Sequence, residues 1–131
     1  MTKLDLLVTG RAMLANEYNW CKGVGTRPGP DGGRQYCARG AISEQLSTHD
    51  AKPMSKEHIR LHAATIDALE DELPDYYANV QDFNDNRRTT HVDILALYDR
   101  AIAKQRSKQI PRPTGIEVFE KLLETKELVD A

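Results

Sequence analysis

A mainly α-helical single domain carrying one short β-hairpin is the fold class this chain predicts, and three observations predict it. Apolar residues recur every three or four positions along most of the 131 residues, as they do on one face of a helix. Helix-capping and helix-ending residues punctuate those stretches: Ser55 and Thr90 stand at starts, Pro74, Pro111 and Pro113 at breaks. Residues 20–42 depart from the pattern. They gather six of the eight glycines, both cysteines and the only tryptophan, with four basic residues against one acid. Five or six helices and a hairpin near residues 20–37 follow.

Leu4, Leu7, Val8, Ala12 and Ala15 place the first helix at about residues 3–17, weakened by Gly10 because glycine costs helix entropy. Pro28-Gly-Pro-Asp-Gly-Gly33 then turns the chain, proline fixing φ and Asp-Gly-Gly reaching positive φ. A lone two-stranded ribbon is marginal in water, so Trp20 and Tyr36 are expected to pack on the first two helices. The second helix spans about 38–48, with small Gly40 and Ala41 allowing a close backbone approach. Ser55 caps the third, whose stripe is Ile59, His62, Ala63, Ile66, Leu69 and Leu73. Pro74 ends it and opens a fourth helix at about 75–83, bearing Tyr76, Tyr77, Val80 and Phe83. Thr90-His-Val-Asp93 resembles a capping box and starts a fifth helix running to about Gln105, apolar on two faces and therefore central. These elements make residues 1–109 a helical domain with a Gly-rich hairpin. Residues 110–131 form a proline-linked C-terminal helix with Ile116, Phe119, Leu122 and Leu123 on one stripe. An exposed stripe of that kind needs cover, either the domain's own core or the groove of a partner or second copy, and of these a subunit contact, giving a homodimer, is the expected one.

Composition narrows the classes of function. The length suits one core. A net charge of −2 gives no global attraction to nucleic acid or membrane, so charge has to be read locally. No apolar run approaches a membrane span or a signal-peptide core, so a cytoplasmic location is expected, with the two thiols reduced.

Taken in order, Trp20, Gly23, the Gly-rich turn, Cys37-Ala-Arg-Gly40-Ala41, Phe83-Asn84-Asp85 and Ala101-Ile102 resemble a family of unknown function made of small bacterial and phage proteins. Its pattern is Trp-x-x-Gly, a Gly-rich turn, Cys-x-x-Gly-Ala, an aromatic-Asn-Asp step and a helix ending near an Ala-Ile pair. The resemblance covers about residues 4–103 and stops before the C-terminal helix. It implies a fold and no catalytic residue.

Several chemistries compete for these residues. Cys37 stands just before a helix start, where backbone N–H groups favour a thiolate, and Arg34 and Arg39 push the same way. It is the one candidate nucleophile, with His49, His58, His62 or His91 as base; a small buried residue packed under the hairpin is the plainer alternative. Lys22, Arg27, Arg34 and Arg39 around a glycine-rich turn make an anion cradle, although neither phosphate-loop nor dinucleotide spacing is present. His58 and His62 share a helix face at metal-ligand spacing, yet two ligands do not make a site, and a histidine at the core rim is the simpler role. Asp82, Asn84 and Asn86 alternate like calcium ligands, but Arg87 stands where the loop needs glycine. An acidic stretch (Asp67, Glu70, Asp71, Glu72, Asp75) and a basic one (Arg100, Lys104, Arg106, Lys108, Arg112) would neutralise each other if the ends of the third and fifth helices are neighbours. Nucleic acid is disfavoured there, because no aromatic residues accompany the basic run.

The expectation is therefore a small cytoplasmic accessory or regulatory binding protein, phage-encoded on the strength of the resemblance. It would engage a macromolecular partner through residues 20–40, with Trp20, Lys22, Arg27, Arg34 and Arg39 at the contact. The partner would be a protein or a small anionic ligand, with no cofactor and no metal assigned. The alternative is a small thiol enzyme or a nucleotide- or phosphate-binding protein using Cys37 and the basic turn.

Overall fold

The computed structural model describes residues 1–47 and 52–109. Among them are five α-helices: α1 Lys3–Met13, α2 Ala38–Leu46, α3 Lys56–Glu70, α4 Val80–Asp85 and α5 His91–Gln109. A two-stranded antiparallel hairpin, β1 Thr26–Pro28 and β2 Arg34–Tyr36, separates α1 from α2. The fold is mainly helical with one hairpin, as the apolar spacing predicts. The helix expected beyond residue 110 and the homodimer contact assigned to it lie outside the described residues.

Each helix begins where its capping chemistry dictates. Thr2 and Asp5 exchange side-chain and backbone bonds at the start of α1, and Thr90 and Asp93 do the same at α5. The Ser55 hydroxyl accepts from the His58 N–H to open α3. The core gathers Leu6, Leu7, Ile42, Leu69, Ile94, Leu97 and Tyr98 from α1, α2, α3 and α5. α1 lies against α2, α3 and α5 at once. Gly10 belongs to that crossing: a Cβ there would stand 3.0 Å from both Ile42 and the Tyr98 ring, so its helix cost accompanies a close approach. The Tyr98 hydroxyl donates to the Ala38 carbonyl, and burial pushes that phenol far above its ordinary range.

Three elements depart from expectation. α4 starts at Val80, not near residue 75. Asn79 caps it, and the Glu70 carboxylate accepts the Val80 N–H from across the bundle, leaving Tyr76 and Tyr77 in a turn. α5 buries Ile94, Leu97, Tyr98 and Ala101 on one apolar face and Ile102 on the other, whose first residue, Val92, is 72% exposed. Ile59, expected in the α3 stripe, is exposed; Thr65, Ile66, Ala68 and Leu69 form the buried face. The ends of α3 and α5 do meet: Lys104 Nζ lies 3.5 Å from a Glu72 carboxylate oxygen, and Arg100 donates to the Glu72 carbonyl. Among the described residues, no helix is long and apolar enough to cross a membrane.

Candidate functional site

The hairpin is too short to stand alone, and the residues around it explain why it stands here. Asn84 on α4 is fully buried, and its amide works in both directions. Its Oδ1 accepts the Trp20 indole N–H at 2.8 Å and the Ala38 N–H at 2.9 Å; its Nδ2 donates to the Cys21 carbonyl and to Asp85. One side chain thus ties the strand entering the hairpin, the first turn of α2 and α4 together. The Asp85 carboxylate accepts the Gly23 N–H at 2.8 Å, with Gln81 on its other oxygen. Burial works against its charge, but the bonds from Gly23, Gln81 and Asn84 outweigh it and hold the carboxyl below its usual range. Lys22 donates to the carbonyls of Asn86 and Thr89 beyond α4, with its ammonium 5.3 Å from the Trp20 ring centre. The Trp20 ring lies 6.0 Å from His91 at the start of α5. Trp20 therefore makes its polar and ring contacts with α4 and α5, not with the first two helices.

Above this clasp the hairpin turns at Gly32, whose φ of 85° suits glycine, and closes through the Gly29 N–H on the Gly33 carbonyl. Gln35 is its anchor: its amide donates to the Tyr18 carbonyl and its Oε1 accepts Arg27 Nε. Arg34 Nε donates to the Thr26 hydroxyl. Of the five residues singled out for partner contact, Trp20 and Lys22 face inward and are occupied by the clasp. Arg27, Arg34 and Arg39 are exposed.

Cys37 is the N-cap of α2. Its sulfur accepts the Gly40 N–H at 3.1 Å, and its S–H points to Gln81. The helix-start amides do favour a thiolate, but the side chain is 1% exposed, and burial outweighs them and pushes the thiol up. Cys21 is also buried, burial raises its thiol, and both cysteines are free. Among the described residues no histidine bonds to Cys37; His49 lies outside them. Cys37 is expected to react with iodoacetamide at least about tenfold more slowly in the native protein than in urea, because the thiolate is the reacting form. Mass spectrometry of quenched samples measures it, and faster labelling of the native state would restore the activated-thiol reading.

Beside the hairpin lies a cleft of about 300 Å³ walled by Thr26, Arg39, Gly40 and Ser43. Ser43 links its floor to α3: its hydroxyl is 2.8 Å from His62 Nε2 and also donates to the Arg39 carbonyl. Burial, and then the Arg39 charge, lower the His62 imidazole below its ordinary value, so it is neutral at pH 7. Its partner is a hydroxyl, and His58 is exposed at the first turn of α3. Among the described residues no three His, Cys, Asp or Glu side chains converge as a metal site would require.

Asp85 and Ser43 are not among the site residues the sequence suggests, and Asn84 enters there only as a calcium-type oxygen. Asn84 and Asp85 carried a signal in the aromatic-Asn-Asp step, since a polar pair just after an apolar position on a short helix places one amide inside. Ser43 carried none. The alternating oxygens that suggested calcium lie in and just after α4, where Asn84 is enclosed by protein donors and acceptors.

Trp20, Gly23, Cys37, Gly40, Asn84 and Asp85 thus assemble into one structural clasp that pins the basic hairpin of this small helical protein. The chain belongs to the family of unknown function DUF6197, whose family model matches residues 1–104. No curated protein and no solved structure matches the chain.

Proposed function

We propose that this protein is a small non-enzymatic binding protein that presents its basic hairpin to an acidic partner surface. The observation that carries this reading is the immobilised hairpin. Two three-residue strands have little stability of their own, yet the Asn84, Asp85 and Lys22 bonds hold their base and Gln35 holds β2. Three exposed guanidinium groups, on Arg27, Arg34 and Arg39, therefore stand on a fixed scaffold. Arg27 and Arg34 are steadied through Nε while their outer nitrogens have no partner among the described residues. Preorganised donors of this kind bind carboxylates with a smaller ordering cost than flexible ones. An accessory or regulatory role in the cytoplasm suits a protein whose two buried thiols remain reduced. The thiol-enzyme alternative has less support, because Cys37 serves as a helix cap and its burial favours the neutral thiol.

The test is a titration of an isotope-labelled sample with a short oligoglutamate peptide at low and high salt. Shifts are expected at Arg27, Arg34 and Arg39, with affinity falling as salt rises. The Arg27→Glu/Arg34→Glu/Arg39→Glu variant is expected to lose binding while remaining folded: Arg39 changes stability by no more than about 0.5 kcal/mol, and Arg27 and Arg34 by about 0.5–1.5 kcal/mol each for the bonds they give up to Gln35 and Thr26. Equal peptide affinity in the variant would end the reading.

A further inference from the structure

On the other side of α4 lies a second and larger cleft, of about 830 Å³, between the 74–77 turn and the first half of α5. Ligand cavities commonly fall between about 300 and 1,000 Å³. One wall is aromatic. Tyr76 is 81% exposed and rests on Tyr77 with ring centres 4.7 Å apart, and Tyr77 stands edge-on to Phe83 at 5.0 Å. The lining is also basic: Arg87 and Arg88 follow α4, and Arg100 of α5, bonded to the Glu72 carbonyl, adds a third guanidinium. The Arg87 and Arg88 guanidinium groups have no partner among the described residues. Asp93 is tied into the α5 cap, whereas the Asp82 carboxylate on the cleft wall is unpaired among the described residues.

Thr89 points to a ligand independently of these charges. It lines the cleft, is 5% exposed, and its hydroxyl oxygen, itself enclosed, has no hydrogen-bond partner; a turn about χ1 would bring that oxygen to the cleft surface. Its backbone is held on both sides, the N–H on Asn86 and the carbonyl under Lys22. A buried hydroxyl without a partner is costly, and few remain so in folded proteins unless something else supplies the bond.

We propose that this cleft binds a mononucleotide, with its phosphate on Arg87 and Arg88 and its base stacked on Tyr76, the Thr89 hydroxyl turning outward to join the phosphate. Guanidinium forks match phosphate oxygens in geometry and charge. An exposed tyrosine ring backed by a second ring is a stacking platform for any nucleobase. Asp82 adds an acceptor for the amino and ring N–H groups of a base, a feature that a phosphorylated phenol does not use. The site shares no residue with the basic hairpin, so it stands or falls separately.

The full chain is titrated calorimetrically with adenosine and guanosine monophosphate, and with inorganic phosphate, O-phosphotyrosine and a short single-stranded oligonucleotide. Thermal shifts are recorded in parallel. A purine monophosphate is expected to raise the melting temperature and to bind at least about tenfold more tightly than inorganic phosphate, the value of one stacked base. Arg87→Ala/Arg88→Ala is expected to weaken it about tenfold or more, two charge-assisted bonds being lost from exposed positions where folding is insensitive. Thr89→Val keeps the shape, melts no lower than wild type and binds more weakly. The Arg27→Glu/Arg34→Glu/Arg39→Glu variant is expected to bind the nucleotide as wild type does. The proposal is overturned if no mononucleotide binds at millimolar concentration, or if inorganic phosphate binds equally well. It is also overturned if phosphotyrosine or the oligonucleotide binds more tightly, or if the hairpin variant, and not Arg87→Ala/Arg88→Ala, loses the nucleotide.

Discussion

Gly40→Ala is expected to lower the melting temperature by about 5–15 °C, although alanine is the better helix former by about 1 kcal/mol. A Cβ at position 40 would lie 1.9 Å from the Gly25 carbonyl oxygen and 2.8 Å from its carbon. Backbone cannot yield as a side-chain tip does. The same Gly25 carbonyl accepts the Cys37 N–H at 3.0 Å, so pushing it away also opens the helix start that Cys37 caps. Overpacking costs about 1–3 kcal/mol or more and the lost bond about another 1 kcal/mol, and the sum exceeds the propensity gain severalfold. Gly25→Ala is the control: a Cβ there meets nothing within 4 Å, so its expected change is within about 0.5 kcal/mol. Urea denaturation of both variants measures the contrast. Equal stabilities would mean that α2 does not rest on the strand leading into the hairpin.

Small residues at 40 and 41 announced that contact in the sequence, and periodicity placed α1, α2, α3 and α5. Those features are local, and local chemistry decides them: Ser55, Thr90 and Asp93 cap the helices they were expected to cap. What could not be read was set by partners distant in the chain. α4 is a partial exception: Pro74 is a sound helix opener by its own geometry, yet α4 begins at Val80, where Asn79 caps it and Glu70, ten residues back, accepts the Val80 N–H. Lys22 resembled a free cation beside other cations, but the carbonyls of Asn86 and Thr89, more than sixty residues away, take its ammonium. Cys37 held the right position for an activated thiol, and whether the dipole or the burial wins depends on packing that no spacing encodes. The Tyr76, Arg88 and Arg100 cleft escaped notice for the same reason, since its walls come from three separate segments.

Asn84 offers the largest expected single-residue effect, and its two substitutions separate packing from hydrogen bonding. Asn84→Leu keeps the branching but is bulkier, and it leaves the Trp20 indole N–H, the Ala38 N–H and the Cys21 carbonyl without their partner. Each group so orphaned costs about 1–3 kcal/mol, so about 3–9 kcal/mol is expected for the three, against a typical total stability of about 5–15 kcal/mol. Asn84→Asp keeps the acceptor for Trp20 and Ala38 and replaces the donor facing Cys21 and Asp85 with a second oxygen. That oxygen, when ionised, is buried beside the Asp85 carboxylate, so its folded pKa must rise above the unfolded value. Protonated, it can donate again to the Cys21 carbonyl. The sign follows: the Asp variant is least stable at neutral pH and recovers toward wild type as pH falls through that raised pKa, while the Leu variant gains nothing. The fluorescence of Trp20, the only tryptophan, reads the clasp directly, and circular dichroism reads the helices. A neutral-pH Asp variant in which Trp20 is released before the helices melt would place the clasp among the less stable parts of the fold. Coincident transitions would make it part of the core, and a pH-independent Asp variant would show that the Asn84 amide does not govern it.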